Sequence, residues 1–369
     1  MYDQIREDIF IIMFYTVVAT MALMASCYLL FRDGNAFAAD ITPPVRLRRW
    51  VAAFFASIAL NHAWYMPIFF LSSAGDVKMT DLVGGLLDSM TFFPLGIIVL
   101  LVMLQDRRRP LWPIAVMMTP IVAAGAWNVV TRSYAFLLVE YVYALLMCIG
   151  IIIYMVHATR QYGRWLRDNY ADLEHKEVWQ SFVVLVILMI VFAVYAFTSD
   201  GPDYQYTMQV IVAVLICYLL WRVETLSDLS IPQSQDFPAD LGIPDGRESD
   251  ASANDLTDNI GLLLQQYCVD TQLYLQHDLT LIQLAKTIGT NRSYLSQYFS
   301  NHGTTYNAYI NDLRIDHFIM LYREAASARQ PIIAQQLALD SGYRSYITFG
   351  RAFKQRMGQS VTSWMHESA

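Results

Sequence analysis

Two short helical stretches near the C-terminus hold side chains able to recognise a polar ligand by hydrogen bonding. In the first, Leu295 and Phe299 are spaced i, i+4 and point inward, which turns Arg292, Ser293, Ser296 and Gln297 outward. In the second, Phe349 and Phe353 do the same and leave Tyr346, Ile347, Gly350 and Arg351 outward, with Arg344, Lys354 and Arg356 placed for phosphates. An Arg fork matches the two acceptors of guanine, Gln matches adenine, and Ser suits several acceptors. A solvated helix face is the alternative for any one of these residues. A second set lies inside apolar runs: Asn61, His62, Asp88, Asn128 and Glu140. Nowhere does the chain show a nucleophile–base pair, metal-ligand spacing or a phosphate loop, so neither an enzyme nor a cofactor is expected.

The element that positions the first set occurs twice. Leu284-Ala285-x-x-x-Gly289 precedes one stretch and Leu337-Ala338-x-x-x-Gly342 the other, with an offset of 53 residues. The small Ala lets two helices cross closely, and the Gly ends the first helix in the left-handed conformation. This is the helix-turn-helix plan, whose second helix enters a major groove. Thr280 with Gln283 predicts a capping box for the first unit. A lead-in helix is expected at about 258–268 and a connecting helix at about 305–323.

The segments DLTLIQLAKTIGTNRSYLSQYF (278–299), YINDLRI (309–315) and IIAQQLALDSGYRSYITFGRAFKQRMGQS (332–360) together resemble the DNA-binding domain of AraC/XylS-type transcription regulators. The resemblance covers about 100 residues. It implies that the outward positions touch bases and that promoter DNA and RNA polymerase are partners. Three residues depart from the usual pattern: Phe318 where a small Ala is common, Val361 where Pro usually opens the last helix, and Met365 where a basic residue is frequent.

The rest of the chain is too apolar for one soluble globule, at 56% hydrophobic and 15% charged residues. Seven apolar stretches, at about 9–31, 50–71, 82–105, 111–130, 134–157, 178–198 and 204–221, each approach the roughly 20 residues that cross a bilayer. The expected fold is all-α: a seven-helix transmembrane bundle over 1–222, then a cytoplasmic double helix-turn-helix domain over 258–369. The N-terminal tail is acidic, unlike a signal peptide. Eleven basic residues (Arg32, Arg46, Arg48, Arg49, Arg107, Arg108, Arg109, Arg160, Arg164, Arg167, Lys176) fall in the odd loops, against Arg6, Lys78 and Arg132 on the other side. That asymmetry puts the N-terminus outside and the C-terminal domain in the bacterial cytoplasm.

Ionisable groups at membrane depth often mark a ligand or ion path, so His62, Asp88 and Glu140 are candidate sensing residues for a small-molecule or membrane signal. Asp88 and Glu140 are expected near mid-span, and interhelical hydrogen bonding that only glues the bundle is the alternative. Pro67, Pro94, Pro113 and Pro120 are expected to kink their helices. Gly84 and Gly85 hint at a homodimer face. None of Cys27, Cys148, Cys217 and Cys268 has an evident disulfide mate.

Between the two domains, residues 223–257 hold most of the chain's excess negative charge. Nine acids and one Arg lie within 223–258, whereas 259–369 carries nine basic and seven acidic groups. A flexible tether reaching about 30 Å is expected there. Its acids could rest on the basic recognition helices, with plain solubility as the alternative. The leading reading is a membrane-bound one-component transcription factor. The runner-up is a membrane receptor or transporter whose C-terminal domain docks a protein. A membrane enzyme with a regulatory tail is a third.

Overall fold

An unbroken apolar run forms the first helix, α1 (Ile9–Phe31), which starts where the Asp8 carboxylate accepts from the backbone N–H groups of Phe10 and Ile11. This computed structural model describes residues 8–32, 34–38, 41–198, 202–229 and 259–368, without the side chains of 192–198, 202–203 and 368. The acidic tail before Asp8, the loop at 199–201 and the linker from 230 lie outside the described residues. The described chain is all-helical, 77% helix with no strand. It divides into two units, one of 1–162 with 178–231 and one of 163–177 with 232–369.

In the first unit, α1 packs on α2 (Val45–Tyr65) through small residues. Ala22, Ala25 and Ala52 are buried there, and Ser26 Oγ donates to the Ala52 carbonyl at 2.8 Å. A 3-10 turn, Met66–Phe69, ends α2 and contains Pro67. The third segment is not one helix but two, α3 (Ala74–Met90) and α4 (Phe92–Val102), broken at Thr91. Pro94 explains the break, because it has no N–H for the carbonyl of Met90 and its ring crowds that carbonyl. Pro113 occupies the first turn of α5 (Trp112–Thr131), so only Pro120 of the four expected kink positions lies deep inside a helix. Next come α6 (Leu137–Asn169), α7 (Trp179–Thr198) and α8 (Pro202–Thr225).

Counting α3 and α4 together as one segment, Ala74–Val102, six helical segments among the described residues are long and apolar enough to cross a membrane, one short of the expected seven. The expected sixth span, α7, contributes only the shorter apolar helix Trp179–Val191, since the side chains beyond it are not described. Residues 223–229, expected to belong to the linker, pack with the first unit. Helix α8 runs to Thr225, Glu224 is fully buried against Arg48 and Tyr28, and the N–H of Leu229 donates to Gln105. Of the two small residues, Gly84 is buried and a Cβ there would meet the Tyr65 ring of the same chain at 2.5 Å, whereas Gly85 is exposed with nothing within 4 Å of an added Cβ.

The second unit takes in residues 163–177 and, after the linker, a helix at 259–264 that runs into the π-turn Gln265–Val269. Helices α9 (Leu281–Thr287) and α10 (Arg292–Asn301) form the first helix-turn-helix. Helix α11 (Tyr306–Ser327) connects it to the second pair, α12 (Ala334–Asp340) and α13 (Tyr346–Met357), and α14 (Val361–Ser368) closes the chain. The expected capping box is present, with Thr280 and Gln283 each satisfying the other's backbone N–H.

Each pair has its own core. Leu284, Ala285, Leu295, Phe299, Tyr306 and Ile310 fill the first; Ala338, Tyr343, Phe349, Phe353 and Val361 fill the second. Phe318, one of the departures, is fully buried in the second core, with its ring 4.4 Å from Phe349 and 6.3 Å from Trp364 of α14. A large ring fills the space here instead of a close helix crossing.

Candidate DNA-binding interface

The turn geometry that sets the two outward helix faces is the one expected. Gly289 and Gly342 both take positive φ, +75° and +86°, a conformation that costs other residues about 1–2 kcal/mol. The two differ in space: a Cβ at Gly289 meets nothing within 4 Å, whereas one at Gly342 lands 2.7 Å from Leu275 Cα. After each turn a side-chain cap restarts the helix. Asn291 Oδ1 accepts from the Tyr294 N–H at 2.9 Å, and Ser345 Oγ accepts from the Thr348 N–H at 3.3 Å.

On α10, Leu295 and Phe299 are buried, and Arg292, Ser293 and Gln297 are exposed with Ser296 half-buried. These four, with Ser300, line an open concavity of about 430 Å³. On α13, Phe349 and Phe353 are buried while Ile347, Arg351 and Lys354 are exposed along one stripe at i, i+4, i+7. Tyr346 is half-buried, its ring 5.9 Å from Phe349. Arg344 lies 3.9 Å from the Asp278 carboxylate. Arg356 is exposed and also engaged within the unit, reaching Asp316 at 2.7 Å and the Asp312 carbonyl at 2.6 Å.

Four residues packed around the interface were not expected. Arg314, fully buried, donates from α11 to the carbonyls of Tyr274 and Gln276, each at 2.7 Å, and lies over the Tyr343 ring. The only sequence signal for it is one Arg on an otherwise apolar helix face, beside Ile310 and Phe318. The others are Asn169 and Glu174, on a distant piece of chain, and Asn307, which receives that piece. Asn169 accepts from Arg292 Nε at 2.8 Å, and Glu174 accepts from Ser345 and Thr348 at 2.6 and 2.7 Å. Burial works to raise the Glu174 carboxyl, but the two hydroxyls, His175 and Arg344 outweigh it and hold it below the ordinary carboxylate range.

The candidate sensing residues all lie in the first unit, and His62 is close enough to Asp88 to act on its carboxylate. His62 is buried, its Nδ1 2.8 Å from the Ile58 carbonyl and its Nε2 2.9 Å from Gln209 Oε1, and Tyr15 donates to its backbone carbonyl. Asp88 accepts from Asn61 at 2.8 and 2.9 Å. Glu140 accepts from Asn128 at 2.7 Å. Asp88 stands one turn before the Thr91 break, near the middle of the third segment. Glu140 falls in the first turn of α6 and so not at mid-span, because that helix starts at Leu137 and runs on to Asn169.

Residues 284–367 match a family described as a helix-turn-helix domain. No protein of curated function and no solved structure matches the chain. A domain of this kind is a DNA-binding regulatory module. The repeated Ala-x-x-x-Gly turns, the two exposed helix faces and the match agree: residues 284–367 are an AraC-type helix-turn-helix domain, in a chain whose N-terminal part holds several apolar helices that could span a membrane.

Proposed function

We propose that this chain is a membrane-embedded one-component transcription regulator of a bacterial cytoplasmic membrane. A seven-span bundle senses a signal, and the cytoplasmic AraC-type domain binds a promoter in a sequence-specific way. The observation that carries the proposal is the presence, in one chain, of a DNA-binding domain and helices whose apolar flanks are bare. On α6, Leu138 is 73% and Ile153 66% exposed, and on α1 Phe10 is 71% exposed. Apolar surface running along whole helices is incompatible with water and suits lipid.

The basic loops orient the bundle with the segment before α1 outside and the helix-turn-helix domain inside. In this reading Arg292, Ser293, Ser296 and Gln297 on α10, and Ile347 and Arg351 on α13, face bases. Tyr346 flanks them, and Arg344 and Lys354 meet phosphates. The domain carries only a small excess of basic charge, so one copy binds weakly. A homodimer, or the tether's effective concentration, makes up the difference. RNA polymerase is the downstream partner. His62, Asp88 and Glu140 are the groups through which a small molecule or a membrane signal shifts the bundle.

Alkaline phosphatase fused after Asp200 should be active and fused after Arg167 inactive. The reverse pattern would put the DNA-binding domain on the wrong side of the membrane and end the proposal.

A further inference from the structure

Residues 163–177 comprise the last turns of α6 and most of the segment that leads to α7, yet they fold with the helix-turn-helix unit. Their attachment is specific. Ala171 is buried in the first core, beside Leu279 and Leu284. Tyr170 pairs with Thr280 as an antiparallel bridge, and the Ala171 N–H faces the Leu279 carbonyl. Asn307 of α11 donates to the carbonyls of Tyr170 and Ala171 at 3.1 and 2.6 Å. Asn169 and Asp172 are both buried. A segment held by core burial, backbone pairing and a side-chain clamp is a docked strap and not a passing loop.

The two ends of this strap meet the two recognition helices. Asn169, whose own amide is fixed by the Trp165 carbonyl, presents Oδ1 to Arg292 Nε at 2.8 Å. A neutral carbonyl oxygen offers Arg the same acceptor that a guanine edge offers. At the other end, Glu174 places its carboxylate on the hydroxyls of Ser345, the N-cap of α13, and Thr348 in its first turn, with Arg344 close by. A carboxylate and a phosphate are both oxyanions, and hydroxyls at a helix start serve either. While Glu174 sits there, no DNA backbone oxygen can.

We propose that the 163–177 strap is an autoinhibitory contact: Asn169 and Glu174 occupy the Arg292 and Ser345–Thr348 positions in place of DNA, and the domain binds its site only when the strap lifts. The proposal rests on the DNA-binding function inferred above. It gives that function a control point, because the strap begins as the end of α6 and leads in sequence to α7.

The test uses the full chain in lipid nanodiscs and a duplex recovered from a random DNA pool, titrated by fluorescence anisotropy. Asn169→Ala and Glu174→Ala leave Ala171 and the Asn307 clamp in place, so the domain keeps its core. Glu174→Gln preserves the shape and removes only the charge. If the docked state holds nine molecules in ten, undocking raises apparent affinity about tenfold. The double variant should show about that gain and Glu174→Gln part of it. Equal affinity in wild type and variants would overturn the strap as a competitor while leaving DNA binding intact. Weaker binding in the variants would make the segment a support and overturn the proposal too. Failure of every protein to bind any duplex would overturn both the strap and the function on which it rests.

Discussion

Gly289 and Gly342 hold equivalent places in the two helix-turn-helix units, and their surroundings predict unequal responses to the same substitution. At each, Ala must adopt a left-handed backbone, which costs about 1–2 kcal/mol. At Gly289 that is the whole cost, since the added methyl meets nothing within 4 Å. At Gly342 the methyl also lands 2.7 Å from Leu275 Cα and 2.8 Å from its carbonyl oxygen. Both are backbone atoms, which cannot rotate away as a side chain would. Forced overpacking of this kind adds about 1–3 kcal/mol. Gly342→Ala should therefore destabilise the unit by about 2–5 kcal/mol and Gly289→Ala by about 1–2. For a domain of this size each kcal/mol lowers the melting midpoint by about 4–8 °C. Hydrogen exchange of amides in α11 of the full-length protein, followed against temperature, reads the midpoint without requiring the unit in isolation. Equal midpoints for the two variants would refute the claim that Gly342 is required for close approach and not for its turn alone.

Other substitutions probe the remaining links. Arg314→Met should cost at least about 1.5–3 kcal/mol in the same exchange experiment, because the carbonyls of Tyr274 and Gln276 lose a charged donor where water is excluded. Arg292→Ala should weaken the preferred duplex by about 1–3 kcal/mol and relax preference at one base pair, whereas Lys354→Ala should weaken all duplexes alike and lower the salt slope by about one. Asp88→Asn and Glu140→Gln should alter output from a reporter promoter at unchanged protein level. Wild-type output from both would make the Asn61–Asp88 and Asn128–Glu140 pairs packing features only.

The helix-turn-helix unit was legible because its determinants are local. The Ala-x-x-x-Gly spacing, the Thr280–Gln283 box and the inward aromatic pairs each act within a few residues, and each stands where its spacing predicts. The apolar helices were legible as elements but not as bounded spans. Composition does not show that Pro94 splits the third segment at Thr91, or that α6 begins just before Glu140 and continues past the apolar run to Asn169. Least legible were the contacts made at long sequence separation. Nothing in the composition of 163–177, a basic loop by its arginines, announces that Asn169 meets Arg292 or that Glu174 meets Ser345. Arg356 illustrates the same limit in reverse, since its acidic partners lie about 40 residues away on α11.

The central claim is that a protein held in a bilayer reads DNA with two helices joined by α11. Footprinting the full-length protein in lipid nanodiscs on a duplex recovered from a random pool tests it most directly. Two helices held this way should protect two successive major-groove segments about 10 base pairs apart on one face. Arg351→Ala should weaken protection of the second segment and leave the first unchanged. A footprint confined to one groove and unchanged by Arg351→Ala, or no footprint at all, would contradict the account.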